Sequence, residues 1–216
     1  LPRTGEKVWK NTMNYYARFT SVRNELFRLE TRIYLEETEV TRGGMEGECV
    51  AVVVGKNPGS ASPTQLDKWT LLDLGKDKML PNVRNRFIEG FRLAGKTIPH
   101  GAFVSVWNLF YLCNANLDLA IESISRVGAQ APICSSERSP RKIVWFAWGG
   151  FNLKSKRLQR LISFKERFQN INVEHPFFFD KKSGEIIERI PSETDFAKHP
   201  QGLRSKPIEE YLASVL

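Results

Sequence analysis

Cys49-Val-Ala-Val-Val-Val54 is an unbroken apolar run that stops at Gly55-Lys-Asn-Pro-Gly59. In a strand, successive side chains point to opposite faces, so a run that is apolar at every position has to be covered on both. That is the situation of a central parallel strand with helices above and below it. Two runs of similar character follow. Ala102-Phe-Val-Ser-Val-Trp107 ends at Asn108-Leu-Phe110, and Lys142-Ile-Val-Trp-Phe-Ala147 ends at Trp148-Gly-Gly150. Between the strands, residues 82–94 place Val83, Phe87, Phe91 and Ala94 on one side, with Gly95 as a C-cap, and 117–127 reads as a second helix. Strands alternating with helices predict an α/β fold: three layers, α/β/α, around a central, mainly parallel four-stranded sheet.

Working outward, residues 1–22 are polar with scattered aromatics, and partial helix is expected there. Over 25–35, Phe27, Leu29, Thr31, Ile33 and Leu35 hold period two, with Leu26 out of phase, which predicts a half-buried strand. Gly43, Gly44 and Gly47 mark a turn. Residues 128–141, with two prolines and three serines, read as a surface loop, and a basic helix is expected over 152–168. Residues 173–190 read as a hairpin turning at Lys181-Lys-Ser-Gly184, in which His175 is structural. Pro207 suits the first turn of a closing helix. The hairpin and the N-terminal segment read as additions. The expected organisation is one domain: an N-terminal extension with a strand over 1–47, then a core over 48–216.

The chain of 216 residues carries 32 Lys and Arg against 24 Asp and Glu, a net charge of +8. Such an excess suits a polyanionic partner. Cys49, Cys113 and Cys134 are odd in number and show no paired spacing, so free thiols in a reducing cytoplasm are expected, without a disulfide framework. No cofactor and no metal are expected. The apolar runs are too short to span a membrane and no secretory leader is read at the start, so a cytoplasmic monomer is expected.

In parallel sheets, ligands bind at the carboxyl ends of the strands. Here those ends are 55–59, 108–110 and 148–150, each polar or glycine-rich where the apolar run stops. Gly55-Lys-Asn-Pro-Gly59 lacks the Gly-Lys-Ser/Thr of a P-loop, and as it stands it also suits an ordinary β-to-α turn. Asn108 offers a donor and an acceptor that suit a base edge, or the cap of the next turn. His199-Pro-Gln-Gly-Leu203 puts an imidazole at the start of a tight loop with an apolar tip, which would serve equally as a surface turn.

Over roughly residues 48–214 these motifs resemble the uracil-DNA glycosylase superfamily. Gly55-Lys-Asn-Pro-Gly59 is similar to its first motif in the Gly-x-Asn-Pro-Gly form of the mismatch-specific branch. Asn108 stands where the family places a base-reading Asn, Trp148-Gly149 where it has a Trp-Gly, and His199-Pro-Gln-Gly-Leu203 is similar to its His/Asn-Pro-x-x-Leu loop. The chain also resembles a group of microbial domains that share the Asn-Pro, Asn-Leu-Phe and Trp-Gly signatures. It departs from the mainstream uracil enzymes, which have Asp at the position of Asn57 and Tyr at that of Gly59.

The resemblance implies a DNA glycosylase that hydrolyses the N-glycosidic bond of a flipped-out pyrimidine. Asn57 and His199 would carry the chemistry: Asn57 would orient water towards the sugar, and His199 would hydrogen-bond the base as negative charge develops. Gly55, Lys56, Pro58, Gly59, Asn108, Trp148 and Gly149 would bind the base, with Trp69 or Phe110 stacking on it. Leu203 would enter the space the base vacates. DNA, the expected partner, would be held by Lys154, Lys156, Arg157 and Arg160 of the basic helix, and by Pro200, Gln201, Gly202, Arg204 and Lys206 around the second motif. Because Gly59 opens space beside C5, a base with a bulky C5 group is expected, such as a hypermodified cytosine of viral DNA, in an antiviral defence role. Uracil or mismatch repair, a non-cleaving DNA-binding domain, an enzyme of free nucleosides or nucleotides and a purely structural domain are the alternatives.

Overall fold

A computed structural model describes residues 14–37, 46–59, 63, 65–75, 77–150 and 158–216. In chain order the described elements are β1 (Tyr15–Val22), β2 (Glu25–Tyr34), β3 (Cys49–Gly55), β4 (Trp69–Leu71), α1 (Met79–Leu93), β5 (Phe103–Asn108), α2 (Leu117–Val127), β6 (Arg141–Phe146), α3 (Leu158–Glu166), β7 (Val173–Phe179), β8 (Ile186–Ile187) and α4 (Ser205–Val215). The fold is α/β. The expectation of four mainly parallel strands is corrected: the strands form one mixed eight-stranded sheet, in the order β4-β1-β2-β5-β3-β6-β7-β8. Four of its seven pairings are antiparallel, and the parallel ones join β5, β3, β6 and β7.

The extra strands come from segments whose periodicity is weak. Of residues 1–22, where partial helix is expected, 1–13 lie outside the described residues and Tyr15–Val22 is the strand β1, with Tyr15, Ala17 and Phe19 burying one side of it. Arg23 and Asn24, both with positive φ (52° and 63°), turn the chain into β2 as a two-residue hairpin loop. Neither is glycine, so the usual signal for that turn is missing from the sequence. β2 and β7 are both integral to the sheet. β2 pairs with β5, and β7 pairs in parallel with β6 inside the sheet.

The period-two reading of 25–35 is interrupted. Tyr16 pairs with Arg32 but Arg18 with Leu29, so Glu30 and Thr31 stand opposite Ala17 alone. This is a β-bulge, and Glu30 sits in it at φ +51°. The extra residue reverses the alternation. Ile33 and Leu35 join the core on one face of the sheet, whereas Phe27 and Leu29 join the core on the other. The bulge is tied from outside: the Glu30 amide donates to Cys134 Sγ, and the Glu30 carboxylate accepts from Ser135 N at 2.8 Å and Ser135 Oγ at 3.0 Å.

Helices cover both faces. Leu80, Val83 and Phe87 of α1 and Ile208 and Leu212 of α4 pack with Ala51 and Val53 of β3. Ala120, Ile121 and Ile124 of α2, with Phe164 of α3 and Phe168 just beyond it, pack with Val52 and Val54. Residues 128–141 are not merely a surface loop. Cys134 and Glu137 are buried, and Tyr111 Oη donates to the Glu137 carboxylate. Arg167 completes this group, 2.8 Å from Glu137, and also donates to the backbone carbonyls of Asn108 and Leu109. The carboxyl end of β5 is thus held by an ion pair whose carboxylate lies in the loop. Among the described residues no helix is long and apolar enough to cross a membrane.

One glycine sets the spacing of α1 and α4. A Cβ on Gly90 would lie 2.9 Å from Leu212 Cβ and 3.2 Å from Leu216 Cδ1. Gly→Ala inside a helix ordinarily stabilises by about 1 kcal/mol. At this position the sign reverses, and Gly90→Ala is expected to destabilise by about 1–3 kcal/mol through overpacking. Urea denaturation measures it, and a stabilised variant would mean that the two helices do not meet as described.

Candidate functional site

Parallel pairing sets Gly55 beside Asn108 and Val54 beside Phe146, so β3, β5 and β6 end level with one another. A cavity of about 850 Å³ opens at these ends. Its lining includes Gly55 at the end of β3 with Lys56, Asn57, Pro58 and Gly59 after it, Asn108 at the end of β5, Trp148 and Gly149 after β6, and His199 and Gln201 between β8 and α4. Four segments far apart in the chain therefore meet in one place. The last of them is carried in by the edge of the sheet. Gly149 N donates to Ala197 O at 2.7 Å and Lys198 N to Phe179 O at 2.9 Å, and His199 follows directly.

Each polar group has a definite orientation. Asn57 Nδ2 donates to Asn114 O at 2.8 Å, which leaves the amide oxygen as the acceptor available to a ligand or a water. Asn108 is buried and its Nδ2 has no protein partner. Gly55 makes room for it, because a Cβ there would stand 2.8 Å from Asn108 Oδ1. Lys56 Nζ donates to Gly150 O at 3.0 Å, and burial lowers its pKa. The His199 ring accepts at Nδ1 from Gln201 N at 3.3 Å, so the neutral imidazole carries its hydrogen on Nε2. Burial first, and then the charge of Lys56, hold His199 below the usual histidine pKa. Gly59, at φ +74°, has nothing among the described residues within 4 Å of where a Cβ would be, so open space lies beside it there.

Several expected site residues lie elsewhere. Trp69 sits on β4, with the Arg32 guanidinium 4.5 Å from its ring centre, and Phe110 is buried against Phe164. Neither lines the cavity, so both are corrected as stacking candidates. Trp148 does line it, but the side chain is packed among Phe146 and Phe168. It forms a wall, with the Lys165 ammonium 5.2 Å from its ring centre. Leu203 is not an exposed loop tip. It is 8% exposed and packs in the core with Ile208 and Leu212. Gln201 and Gly202 form the exposed turn, over a buried Pro200. Arg204 and Lys206 are exposed, and Lys206 pairs with Glu210 at 3.5 Å. Lys154, Lys156 and Arg157 lie outside the described residues, and so does the side chain of Arg160.

The cavity also has residues that sequence reading missed: Arg28, Leu72, Asp73, Asp77, Met79 and Ala115. The two aspartates sit in the segment before α1. Asp73 Oδ1 accepts from Gly75 N at 3.0 Å and Asp77 Oδ1 from Met79 N at 2.7 Å. Arg28 comes from β2. The bulge that puts Ile33 and Phe27 on opposite faces also turns Arg28 towards the cavity, and no pattern in the sequence signals a bulge at Glu30.

The chain matches no family model, no curated protein and no solved structure.

The lowered pKa of His199 makes a prediction about stability. Its neutral form favours the folded state fully above pH 6.5, the ordinary histidine value. That contribution is lost as the pH falls through 6.5 towards the lower folded value, because over this window the unfolded chain takes up a proton that the folded protein refuses. His199→Gln should therefore lose less thermal stability than wild type between about pH 7 and about pH 5. Parallel curves for the two proteins would show that the imidazole is not held neutral.

Proposed function

We propose that this protein is a DNA glycosylase that takes an extruded pyrimidine into the cavity at the ends of β3, β5 and β6 and hydrolyses its N-glycosidic bond. The observation that carries the reading is the convergence of Asn57, Asn108, Trp148-Gly149 and His199 on that cavity. These are the segments whose motifs resemble the uracil-DNA glycosylase superfamily.

The chemistry follows from the donors and acceptors. Breaking the bond from C1′ to the base nitrogen leaves the electron pair on the base and positive charge on the sugar. The base becomes an acceptor-rich anion, and placed hydrogen-bond donors stabilise it as that charge develops. Asn108 Nδ2 and the Nε2–H of His199 are such donors. A neutral imidazole can do this without giving up its proton. Asn57 is a neutral amide and takes no proton at working pH. Its oxygen accepts a hydrogen bond from a water and aims the water's lone pair at C1′. The water oxygen bonds to the sugar, and its released proton balances the charge on the departed base through solvent. Bond breaking runs ahead of water attack, because the residue that aims the water is an amide and takes no proton from it.

The open space beside Gly59 suits a pyrimidine with a substituent at C5, in keeping with removal of hypermodified bases from foreign DNA. A second reading, in which the substrate is a free nucleotide, is favoured by the burial of Leu203. A side chain packed in the core is not available to fill the gap left by an extruded base.

The test is incubation of the protein with duplexes that hold uracil, thymine mismatches or C5-modified cytosines, and with the matching mononucleotides. Mass spectrometry then identifies any released base. Release from DNA is expected, with abasic sites left behind, and Asn57→Ala and His199→Ala should each slow the single-turnover rate by about 100-fold. Release from mononucleotides alone would move the assignment to the second reading. Normal cleavage by both variants would remove these residues from the mechanism.

A further inference from the structure

Arg28 is the most deeply buried of the charged groups in this cavity, and the proposed chemistry leaves it without a task. It is 4% exposed, it lines the cavity, and its Nε is buried without a hydrogen-bond partner. Among the described residues no carboxylate lies within ion-pair distance of it. Cys113 and then Asp77 act on it electrostatically without an ion pair, burial holds the Cys113 thiol well above its usual pKa, and the Oδ1 atoms of both Asp73 and Asp77 accept from backbone amides of their own segment. An arginine remains charged at working pH, and taking a charge out of water without an ion-pair partner is destabilising, which stands against its being there for stability.

The surroundings point the same way. Asn108 Nδ2 is a second buried donor in the same cavity without a partner, and Lys56 brings a further positive charge to the wall. Around Arg28 and Asn108 the unspent groups are donors, whereas the carboxylates of the cavity, Asp73 and Asp77, belong to the segment before α1 and each has one oxygen tied to a backbone amide. The position of Arg28 is also built. The bulge at Glu30 turns it inward, and the bulge is held by Ser135 and Cys134 from across the sheet. A planar guanidinium with a fixed backbone is the geometry that receives a carboxylate or a phosphate through two parallel hydrogen bonds.

We propose that Arg28 is the receptor for an anionic oxygen group, a carboxylate or a phosphate, carried by the ligand of this cavity. That the anion is a substituent of the excised base rests on the glycosylase reading; the anion site itself does not.

The first arm of the test needs no substrate. Thermal unfolding of the full chain is followed with inorganic phosphate or acetate against chloride at constant ionic strength. Phosphate or acetate is expected to raise the wild-type midpoint in a concentration-dependent way, and the stronger of the two identifies the preferred anion. Arg28→Met should unfold at the same or a higher temperature than wild type in chloride, since a buried lone charge is gone, and should not respond to either anion. Arg28→Lys keeps a charge without the fork and should bind about tenfold more weakly. It also serves if Arg28→Met does not fold. A destabilised Arg28→Met that responds to the anions as wild type does, or a wild type that responds to neither, overturns the proposal.

The second arm uses duplexes that hold a 5-carboxyl, a 5-phosphorylated hydroxymethyl or a neutral 5-hydroxymethyl pyrimidine. Wild type should release one of the anionic bases at least about tenfold faster than the neutral one, and Arg28→Lys should bring that ratio towards one. An anion response with no base released from any duplex supports the Arg28 site and rejects the glycosylase reading. Release of all three bases at equal rates, unchanged in ratio by Arg28→Lys, rejects a base substituent as the anion at Arg28 and leaves the glycosylase reading standing, and the first arm alone then decides the anion site.

Discussion

The register of the three central parallel strands is the constraint on which the rest depends. With Gly55 beside Asn108 and Val54 beside Phe146, the strands stop at one level, and the chain leaves each of them as a loop at the same place. Apolar side chains on both faces of β3 hold that register, because a shift by one residue would exchange the faces of Ala51 and Val53 with those of Val52 and Val54. Covered from both sides, the sheet leaves its carboxyl ends as the site where backbone groups and polar side chains meet a cavity.

Around this frame the polar groups are placed by structure outside the motifs. Arg167 and Glu137 hold the carbonyls at the end of β5, Asn114 fixes the amide of Asn57, and the Gly149–Ala197 contact brings in His199. Such supports keep a side chain in one orientation while its remaining donor or acceptor stays unused. Asn108 and Arg28 are the clearest cases, buried groups whose hydrogen-bonding capacity is unspent. Leaving them so costs stability, which a ligand supplying oxygen atoms would recover under the proposed reading.

Much of this was legible in the sequence, for identifiable reasons. The runs 49–54, 102–107 and 142–147 carry apolar residues on both alternating sets, and the helix at 117–127 has Asn116 as an N-cap that accepts from Asp118 N and Leu119 N. These are local signals, and the loops after the strands follow from them. Non-local pairing was not legible. Nothing in the composition of residues 15–22 says that they pair with β2, and the bulge at Glu30 depends on Ser135, more than a hundred residues away. That bulge is why Arg28, in a phase that reads as solvent-facing, ends in the cavity. Leu203 failed for the opposite reason: a leucine after a Gly-containing turn reads as a tip, and the docking of α4 on α1 buries it.

The central claim is that a nucleobase leaves its stack and enters the cavity between Asn57, Asn108 and His199. The most direct measurement is a crystal structure with a duplex whose target nucleotide carries a 2′-fluoro sugar, which slows glycosidic cleavage and traps the bound state. The account predicts the base rotated out of the helix, with its edge within hydrogen-bond distance of Asn108 Nδ2 and His199 Nε2 and its C5 side towards Gly59. A base stacked in an intact duplex, with DNA lying on a face away from the ends of β3, β5 and β6, would contradict it.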